Sequence, residues 1–413
     1  MLSLTELIHQ TKIRKNFMRL IVEGWRFLCH SYSVINQFQL LEMIKHPNLE
    51  VFHRDIPYKN PDWRTDINLL DTTIQSLYNI PLSPEYLEAD VTFKIYCPWN
   101  FNKSITPQTW VFAVTEWGKV SRVVLNGMKV EKFTDAPVNS ESMIITASQW
   151  SKNGFIRSGV AENRIKIVPH GFDPTLYYPL SDTQRKSLRK ELGWDDYFVF
   201  LNIGGCNSRK GIRVLLKAFA TIASRHPQAR LCLKGSELLY LSQKEILEAS
   251  KIVLNEAEQN LVMSRIIYIG EHLSYAKIAQ LYQGADTYVS PYLAEGFNLT
   301  VLEAAACGLP IICTAGGPTD DFTHPDFALR ISSKFRSTII YSETMFMLHP
   351  CWEHLVSLME MVMENHIWRD RARQIAPNYV LQRFTWKHIV DRLFQVFSSG
   401  TIKNQSPSNF EFF

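Results

Sequence analysis

The sequence predicts an α/β protein with two Rossmann-like domains. Short β-prone runs alternate with helical patterns along nearly the whole chain, which is typical of strand–helix–strand units and parallel sheets. At 413 residues the chain is too long for one ordinary hydrophobic core. Hydrophobic residues make up 46% and charged residues 20%, as in a soluble globular protein. The two halves share no internal sequence repeat, so we expect two domains of similar architecture and different sequence.

Composition excludes several classes of protein. The net charge of +4 suits an anionic substrate or a membrane surface but is too small to indicate nucleic-acid binding. Seven cysteines are scattered without a CxxC pair or a histidine cluster, which favours reduced thiols and a cytoplasmic location. No run of about 18 apolar residues indicates a membrane span, and the N-terminus lacks the apolar segment of a signal peptide.

The first domain opens with an amphipathic pattern over residues 1–15. Such a helix could lie on the inner face of an anionic membrane or pack on its own domain. A buried strand over residues 17–22 then leads through a loop containing Gly24 and His30 into a helical pattern over residues 34–44. This is the first unit of a Rossmann-like sheet. His30 could donate a hydrogen bond to a ligand, although a lone histidine is more often structural.

The next strands of the first domain carry one candidate site residue. Their predicted ranges are 48–53, 91–97, 109–115 and 142–147. Glu116 follows the third of these strands at its carboxyl end, the edge where open α/β sheets bind ligands. Glu116 is therefore a candidate acceptor contact, with an ordinary loop carboxylate as the alternative.

The second domain begins with a buried strand over residues 197–203, followed by a glycine-containing loop and a helix from residue 212. Gly205 permits a close approach of the backbone to a ligand. Arg209 and Lys210 put two cations at the mouth of the helix, an arrangement suited to a diphosphate. The alternative is a solvated loop with two basic residues.

The stretch 295–310 organises the chain. A short strand over residues 287–290 precedes a loop, and a helix starts near Leu299. The sequence Gly–Leu–Pro over residues 308–310 ends the helix, and a strand over residues 311–314 follows. Glu295 on the loop and Glu303 one turn into the helix could accept hydrogen bonds from hydroxyl groups. Judged by spacing alone they could equally be two surface glutamates.

At these residues the sequence resembles a known family. EGFNLTVLEAAACGLPII resembles the glutamate-x7-glutamate motif of family 4 retaining glycosyltransferases, which have the two-domain GT-B fold. The resemblance extends roughly over residues 142–315, and the first hundred residues match poorly. It implies an acceptor-side domain over residues 1–175, a donor-binding domain over 176–380, and a C-terminal helix within 381–413 that crosses back to the first domain. It also implies that His170 to Asp173 form a hinge.

The resemblance implies roles for the candidate residues. Glu303 would hold the donor ribose and Glu295 the transferred sugar. The backbone around Asn298, Leu299 and Thr300 would meet sugar or diphosphate. The remaining candidates are divided between the diphosphate site and the acceptor side: Gly205, Arg209 and Lys210 for the former, Gly24, His30 and Glu116 for the latter.

The sequence thus predicts a retaining transfer of a hexose from a UDP- or GDP-sugar to a hydroxyl of a glycan, a lipid-linked sugar or a small molecule. We expect no metal and no cofactor besides the donor, because Arg209 and Lys210 can stabilise the leaving diphosphate. Expected partners are the donor, the acceptor and a peripheral membrane contact, but no nucleic acid. Two alternatives are a sugar-nucleotide-binding scaffold without catalysis, and an epimerase or phosphorylase of the same fold.

Overall fold

A computed structural model describes residues 17–28, 30–60, 63, 65, 74–340 and 342–401. The amphipathic segment 1–15 and the last residues of the chain, 402–413, lie outside the described residues. Within the described part, two six-stranded sheets and a separate hairpin make up the β-structure.

The first domain is built on a parallel sheet with strand order β2-β1-β3-β4-β5-β6. Its strands are β1 (Met18–Gly24), β2 (Leu49–Asp55), β3 (Val91–Ile95), β4 (Gln108–Phe112), β5 (Met143–Thr146) and β6 (Ile165–Ile167). Its helices are α1 (Ser31–Met43), α2 (Ile74–Tyr78), α3 (Arg122–Met128) and α4 (Gln149–Arg157). The predicted strands are therefore present. Their apolar side chains are buried, as expected for parallel strands that are covered on both faces of the sheet.

The second domain repeats this architecture with strand order β12-β11-β10-β7-β8-β9. The strands, all parallel, are β7 (Phe198–Ile203), β8 (Ala229–Lys234), β9 (Ile266–Ile269), β10 (Thr287–Ser290), β11 (Ile311–Thr314) and β12 (Ala328–Ile331). The helices are α5 (Asp182–Glu191), α6 (Ile212–Arg225), α7 (Glu237–Tyr240), α8 (Ser242–Val253), α9 (Glu256–Met263), α10 (Tyr275–Gly284) and α11 (Leu299–Ala306). Two Rossmann-like domains of the predicted class are thus confirmed.

Two features near the C-terminus depart from the sequence pattern. The amphipathic pattern over residues 352–375 predicts one continuous helix, but the structure has two helices, α12 (Trp352–Glu364) and α13 (His366–Leu381). Asn365 separates them, and its side chain caps α13 by accepting a hydrogen bond from the Trp368 amide at 2.9 Å. An antiparallel hairpin, β13 (Ser333–Ile340) and β14 (Glu343–Pro350), precedes α12 and was not predicted.

The last helix, α14 (Trp386–Thr401), returns to the first domain. The Phe397 ring lies 5.7 Å from Phe93 and 6.0 Å from Trp110, measured between ring centroids. At the entry to α14, the Trp386 amide donates to the Phe172 carbonyl at 3.2 Å. A Cβ on Gly171 would lie 2.6 Å from the Trp386 nitrogen, so only glycine fits this crossing. The predicted crossing helix is confirmed.

Candidate functional site: the interdomain cleft

A cleft of about 350 Å³ opens between the two domains. Residues at or beyond the carboxyl ends of the strands of both sheets line it, as expected for ligand sites of open α/β sheets. Of the residues predicted from the sequence, the cleft brings together His30, Glu116, Gly205, Arg209, Lys210, Glu295, Asn298, Leu299, Thr300 and Glu303.

Charged side chains meet at the centre of the cleft. Arg209 lies within 3.0 Å of the Glu295 carboxylate through Nη1, and within 3.3 Å of Glu116 through Nη2. Lys210 contacts the other oxygen of Glu295. Arg209 also donates to the Ala294 carbonyl at 2.9 Å, which fixes the guanidinium against the loop after β10. The two cations and two carboxylates therefore form one network across both domains.

The network keeps Arg209 and Glu295 charged despite their burial. Burial alone would lower the pKa of Arg209, but Glu116 and Glu295 raise it above its ordinary value. Burial would likewise raise the pKa of Glu295, yet Lys210 and Arg209 lower it below the ordinary value. Because Glu295 is 4% exposed, loss of both cations would leave a buried charge unpaired.

Glu303 lies in a different environment, on helix α11. Its carboxylate accepts a hydrogen bond from the Tyr282 hydroxyl at 2.9 Å, and the Tyr177 hydroxyl also bonds to it. Burial raises the pKa of Glu303 to about 7, because the two hydroxyls only partly compensate for lost hydration. Near neutral pH Glu303 is therefore present in two forms, a carboxylate that accepts hydrogen bonds from two hydroxyls and a protonated acid.

The N-terminus of α11 faces the cleft in an unusual backbone conformation. Asn298 has φ of +78°, and its side chain bonds to Ser290 Oγ and Thr300 Oγ1, each at 2.9 Å. The Tyr288 hydroxyl donates to Thr300 at 2.7 Å. The Asn298 side chain makes no capping hydrogen bond to the first amides of α11. These amides are therefore suited to an anionic group of a ligand.

The first domain contributes less than the sequence predicted. His30 caps α1, its Nδ1 accepting from the Tyr32 amide at 3.3 Å, while burial and Lys59 lower its pKa to about 4. It is thus neutral at pH 7 with Nε2 as its donor. Gly24 does not line the cleft; a Cβ there would lie 2.7 Å from Asn36 Nδ2 and 2.9 Å from the Ile95 carbonyl. Gly24 instead allows β1 to pack closely against α1 and β3.

Sequence reasoning missed the tyrosines that hold Glu303. Tyr177 lies on the interdomain linker and Tyr282 on α10, and no local motif links either of them to α11. His170, interpreted as a hinge residue, also lines the cleft, with its ring 4.9 Å from Phe297 and 5.3 Å from Phe112. Burial lowers the pKa of His170 to about 3, so it is neutral.

Two kinds of feature are absent from the described residues. No group of three or more histidine, cysteine, aspartate and glutamate side chains is arranged to hold a metal ion. No helix in this part of the chain has the length and apolar character needed to span a bilayer.

Comparison with known proteins finds similarity to glycosyltransferases. Residues 184–378 match the family described as glycosyl transferases group 1. The mannosylfructose-phosphate synthase of Agrobacterium fabrum is 29% identical over 160 residues, which are 38% of this chain and 34% of that protein. The D-inositol 3-phosphate glycosyltransferase of Corynebacterium jeikeium is 28% identical over 180 residues, 43% of this chain and 42% of that protein. The chain thus spans less than half the length of these curated relatives.

Solved structures share the fold across nearly the whole chain. HepE of Anabaena, solved in complex with UDP and glucose, superposes with a TM-score of 0.64 at 16% identity, covering 92% of this chain and all of that one. Sucrose-phosphate synthase from Thermosynechococcus elongatus gives 0.64 at 16% identity, covering 94% of this chain and all of that one. The two domains and their cleft have the architecture of GT-B glycosyltransferases. The similarity to the group 1 glycosyltransferase family lies in the second domain, over residues 184–378.

Proposed function

We propose that the protein transfers a hexose from a nucleoside diphosphate sugar to a hydroxyl acceptor with retention of the anomeric configuration. One observation carries the proposal: Arg209 and Lys210 converge on Glu295 at the centre of the cleft, next to the N-terminus of α11. Two cations and a helix N-terminus form a site for a diphosphate. HepE of Anabaena, which was solved in complex with UDP and glucose and with UDP-glucose, supports a donor of this class.

In the proposed complex the diphosphate takes Arg209 and Lys210 from their carboxylate partners. Glu295 is then placed to accept hydrogen bonds from the transferred sugar. Glu303, reached from the same cleft, accepts the ribose hydroxyls once it is deprotonated. Charge that develops on the leaving diphosphate is stabilised by the two cations and by the dipole of α11. Because these groups supply the positive charge, the transfer is proposed to proceed without a metal ion.

The proposed reaction is a front-face displacement. The bond between the anomeric carbon and the diphosphate oxygen breaks, and a bond from the acceptor oxygen forms on the same face. The acceptor's hydroxyl proton passes to the departing phosphate oxygen, so no protein nucleophile is required. His30 and Glu116 lie on the acceptor side of the cleft, and we propose that they contact the acceptor.

A thermal-shift panel tests the donor site directly. UDP, GDP, ADP and their sugar conjugates are added to the wild type, to Glu303→Gln and to Lys217→Ala. Lys217 is a matched control, because it pairs with Glu258 on α9 and does not line the cleft. Ligand at about 100 times its Kd stabilises the protein by about 2.7 kcal/mol. We expect a base-selective shift that Glu303→Gln weakens and Lys217→Ala retains.

The outcome also separates the proposal from its alternatives. A donor that binds but is never transferred to any acceptor favours a sugar-nucleotide-binding scaffold. If no nucleotide shifts the melting temperature, the donor site is refuted. Where transfer is found, NMR of the product's anomeric proton decides the stereochemistry, and an inverted product contradicts the front-face displacement.

A further inference from the structure

The β13–β14 hairpin of the second domain contacts the loop that carries Glu116 in the first domain. The Phe346 amide on β14 donates to the Trp117 carbonyl at 3.0 Å. The carbonyls on either side of it are held from α4, Glu116 by Trp150 Nε1 at 3.0 Å and Gly118 by Arg157 Nε at 2.7 Å. Three successive carbonyls of this loop are therefore fixed, one of them from the other domain.

The same strand also holds the loop that carries Glu295. Two residues beyond Phe346, the Leu348 amide donates to the Leu293 carbonyl at 2.8 Å. At the base of the hairpin, Ser333 Oγ donates to the Ala315 carbonyl at 2.6 Å. Strand β14 thus forms hydrogen bonds with the loops that carry Glu116 and Glu295, the two carboxylates on either side of Arg209.

Side chains strengthen the contact with the first domain. The Phe335 and Phe346 rings stack with their centroids 5.7 Å apart, and the Arg157 guanidinium lies 5.5 Å and 5.1 Å from those two centroids. The Trp150 ring meets Phe335 edge-on at 5.8 Å. Arg157 and Trp150, the two residues of α4 that hold the loop, are therefore packed against the hairpin.

The end of the hairpin near its turn makes a polar contact. Glu343 accepts a hydrogen bond from the Arg122 amide at 2.8 Å and lies 3.3 Å from Lys119. Both partners follow Glu116 closely in the first domain. The hairpin consequently contacts the segment after Glu116 at Trp117, Lys119 and Arg122.

We infer that the β13–β14 hairpin is an interdomain clasp that places Glu116 against Arg209, with Phe335, Phe346 and Arg157 as positioning residues. This inference rests on the proposed function, because it takes Arg209 to be a ligand of the donor diphosphate. The hairpin does not touch the donor; it acts through Glu116. Loosening the clasp withdraws Glu116 from Arg209, so a diphosphate meets less competition for the guanidinium.

Nucleoside diphosphate affinity gives the first test, measured by calorimetry with UDP or GDP, whichever the wild type binds. Phe335→Ala/Phe346→Ala is expected to lower the Kd about two- to fivefold, the range of a partly exposed ion pair. In a Glu116→Gln background the same double substitution is expected to change nothing further. Ile339→Ala, on β13 with 77% exposure, is the matched control and is expected to match the wild type. Phe335→Tyr/Phe346→Tyr, which keeps both rings, is expected to retain the wild-type Kd.

Hydrogen–deuterium exchange on the full chain gives a second test that needs no ligand. The amides of Val120 and Arg122, bonded to Ser158 Oγ and Glu343, report on the loop. We expect exchange at these amides to be at least about tenfold faster in Phe335→Ala/Phe346→Ala and in Arg157→Ala. Arg157→Ala serves as the decisive variant if the double substitution does not fold.

The outcomes separate this inference from the proposed function. Unchanged exchange in the variants overturns the clasp, and so does a Kd that shifts equally in the Glu116→Gln background. If the wild type binds no nucleoside diphosphate, the proposed function fails and the exchange experiment alone decides the clasp.

Discussion

Arg209 of the second domain and Glu116 of the first lie 3.3 Å apart across the cleft, measured from Nη2 to Oε1. Glu295 holds the other side of the same guanidinium at 3.0 Å. The cation proposed to bind the diphosphate is thus shared by two carboxylates. A donor must replace Glu116 as a partner of Arg209, which links donor binding to the contact between the domains.

Glu116→Gln is expected to tighten nucleoside diphosphate binding. The side chain of Glu116 is 41% exposed, and an ion pair of that kind contributes about 0.2–1 kcal/mol, which corresponds to as much as about fivefold in Kd. Isothermal titration calorimetry measures the change. Glu162→Gln, which removes a surface carboxylate paired with Lys152, is the control and should leave the Kd unchanged. Weaker binding by Glu116→Gln would contradict the proposed competition.

Arg209→Ala combined with Lys210→Ala is expected to lower the transfer rate by about 10²–10³ or more. Removing one preorganised group that stabilises transition-state charge typically costs this much. Steady-state kcat with the donor identified in the thermal-shift panel provides the measurement. Lys217→Ala should keep full activity because its ion pair lies outside the cleft. Normal turnover by the double variant would eliminate both cations from the mechanism.

Glu303 should make the protein less stable as pH rises. Its pKa is about 7 in the folded chain against 4.5 ordinarily, so folding favours the protonated form. The stabilisation is complete below about pH 4.5 and is lost as pH rises through 7; 2.5 pH units at about 1.36 kcal/mol per unit give at most about 3 kcal/mol. Urea unfolding at pH 5 and pH 8 measures the loss. In Glu303→Gln this contribution should be absent, so the free energy of unfolding should fall less between pH 5 and pH 8 than it does in the wild type. An identical pH dependence in wild type and variant would disprove the assignment.

Donor affinity should increase as pH rises, whereas the stability of the fold decreases. If the ribose hydroxyls require deprotonated Glu303, the binding-competent fraction rises from roughly a tenth at pH 6 to roughly nine-tenths at pH 8, which lowers the Kd about tenfold. Calorimetry at the two pH values gives the ratio. The ratio should approach one in Glu303→Gln, after correction for phosphate ionisation with the free nucleotide. Equal pH dependence in both proteins would remove Glu303 from ribose recognition.

Local patterns predicted much of the fold and of the donor site. Each strand of the second sheet before β12 is a short apolar run next to a turn signal, and the loops after β7 and β10 contain Arg209, Lys210 and Glu295 at the edge where such sheets bind ligands. The hairpin was missed because β13 is largely exposed, so no buried pattern distinguishes this strand from a loop. The buried residues of β14, which include Met345, Met347 and Leu348, do not by themselves indicate a partner strand.

The sequence by itself determined which residue types reach the cleft, because a parallel strand and the loop after it place side chains at a known edge. Only the tertiary structure decided their partners. Glu116 and Arg209 are 93 positions apart and meet because two domains close on each other; Tyr282 reaches Glu303 because two helices pack side by side. The pKa of Glu303 follows from that packing, since hydration is lost only when distant segments surround the carboxylate.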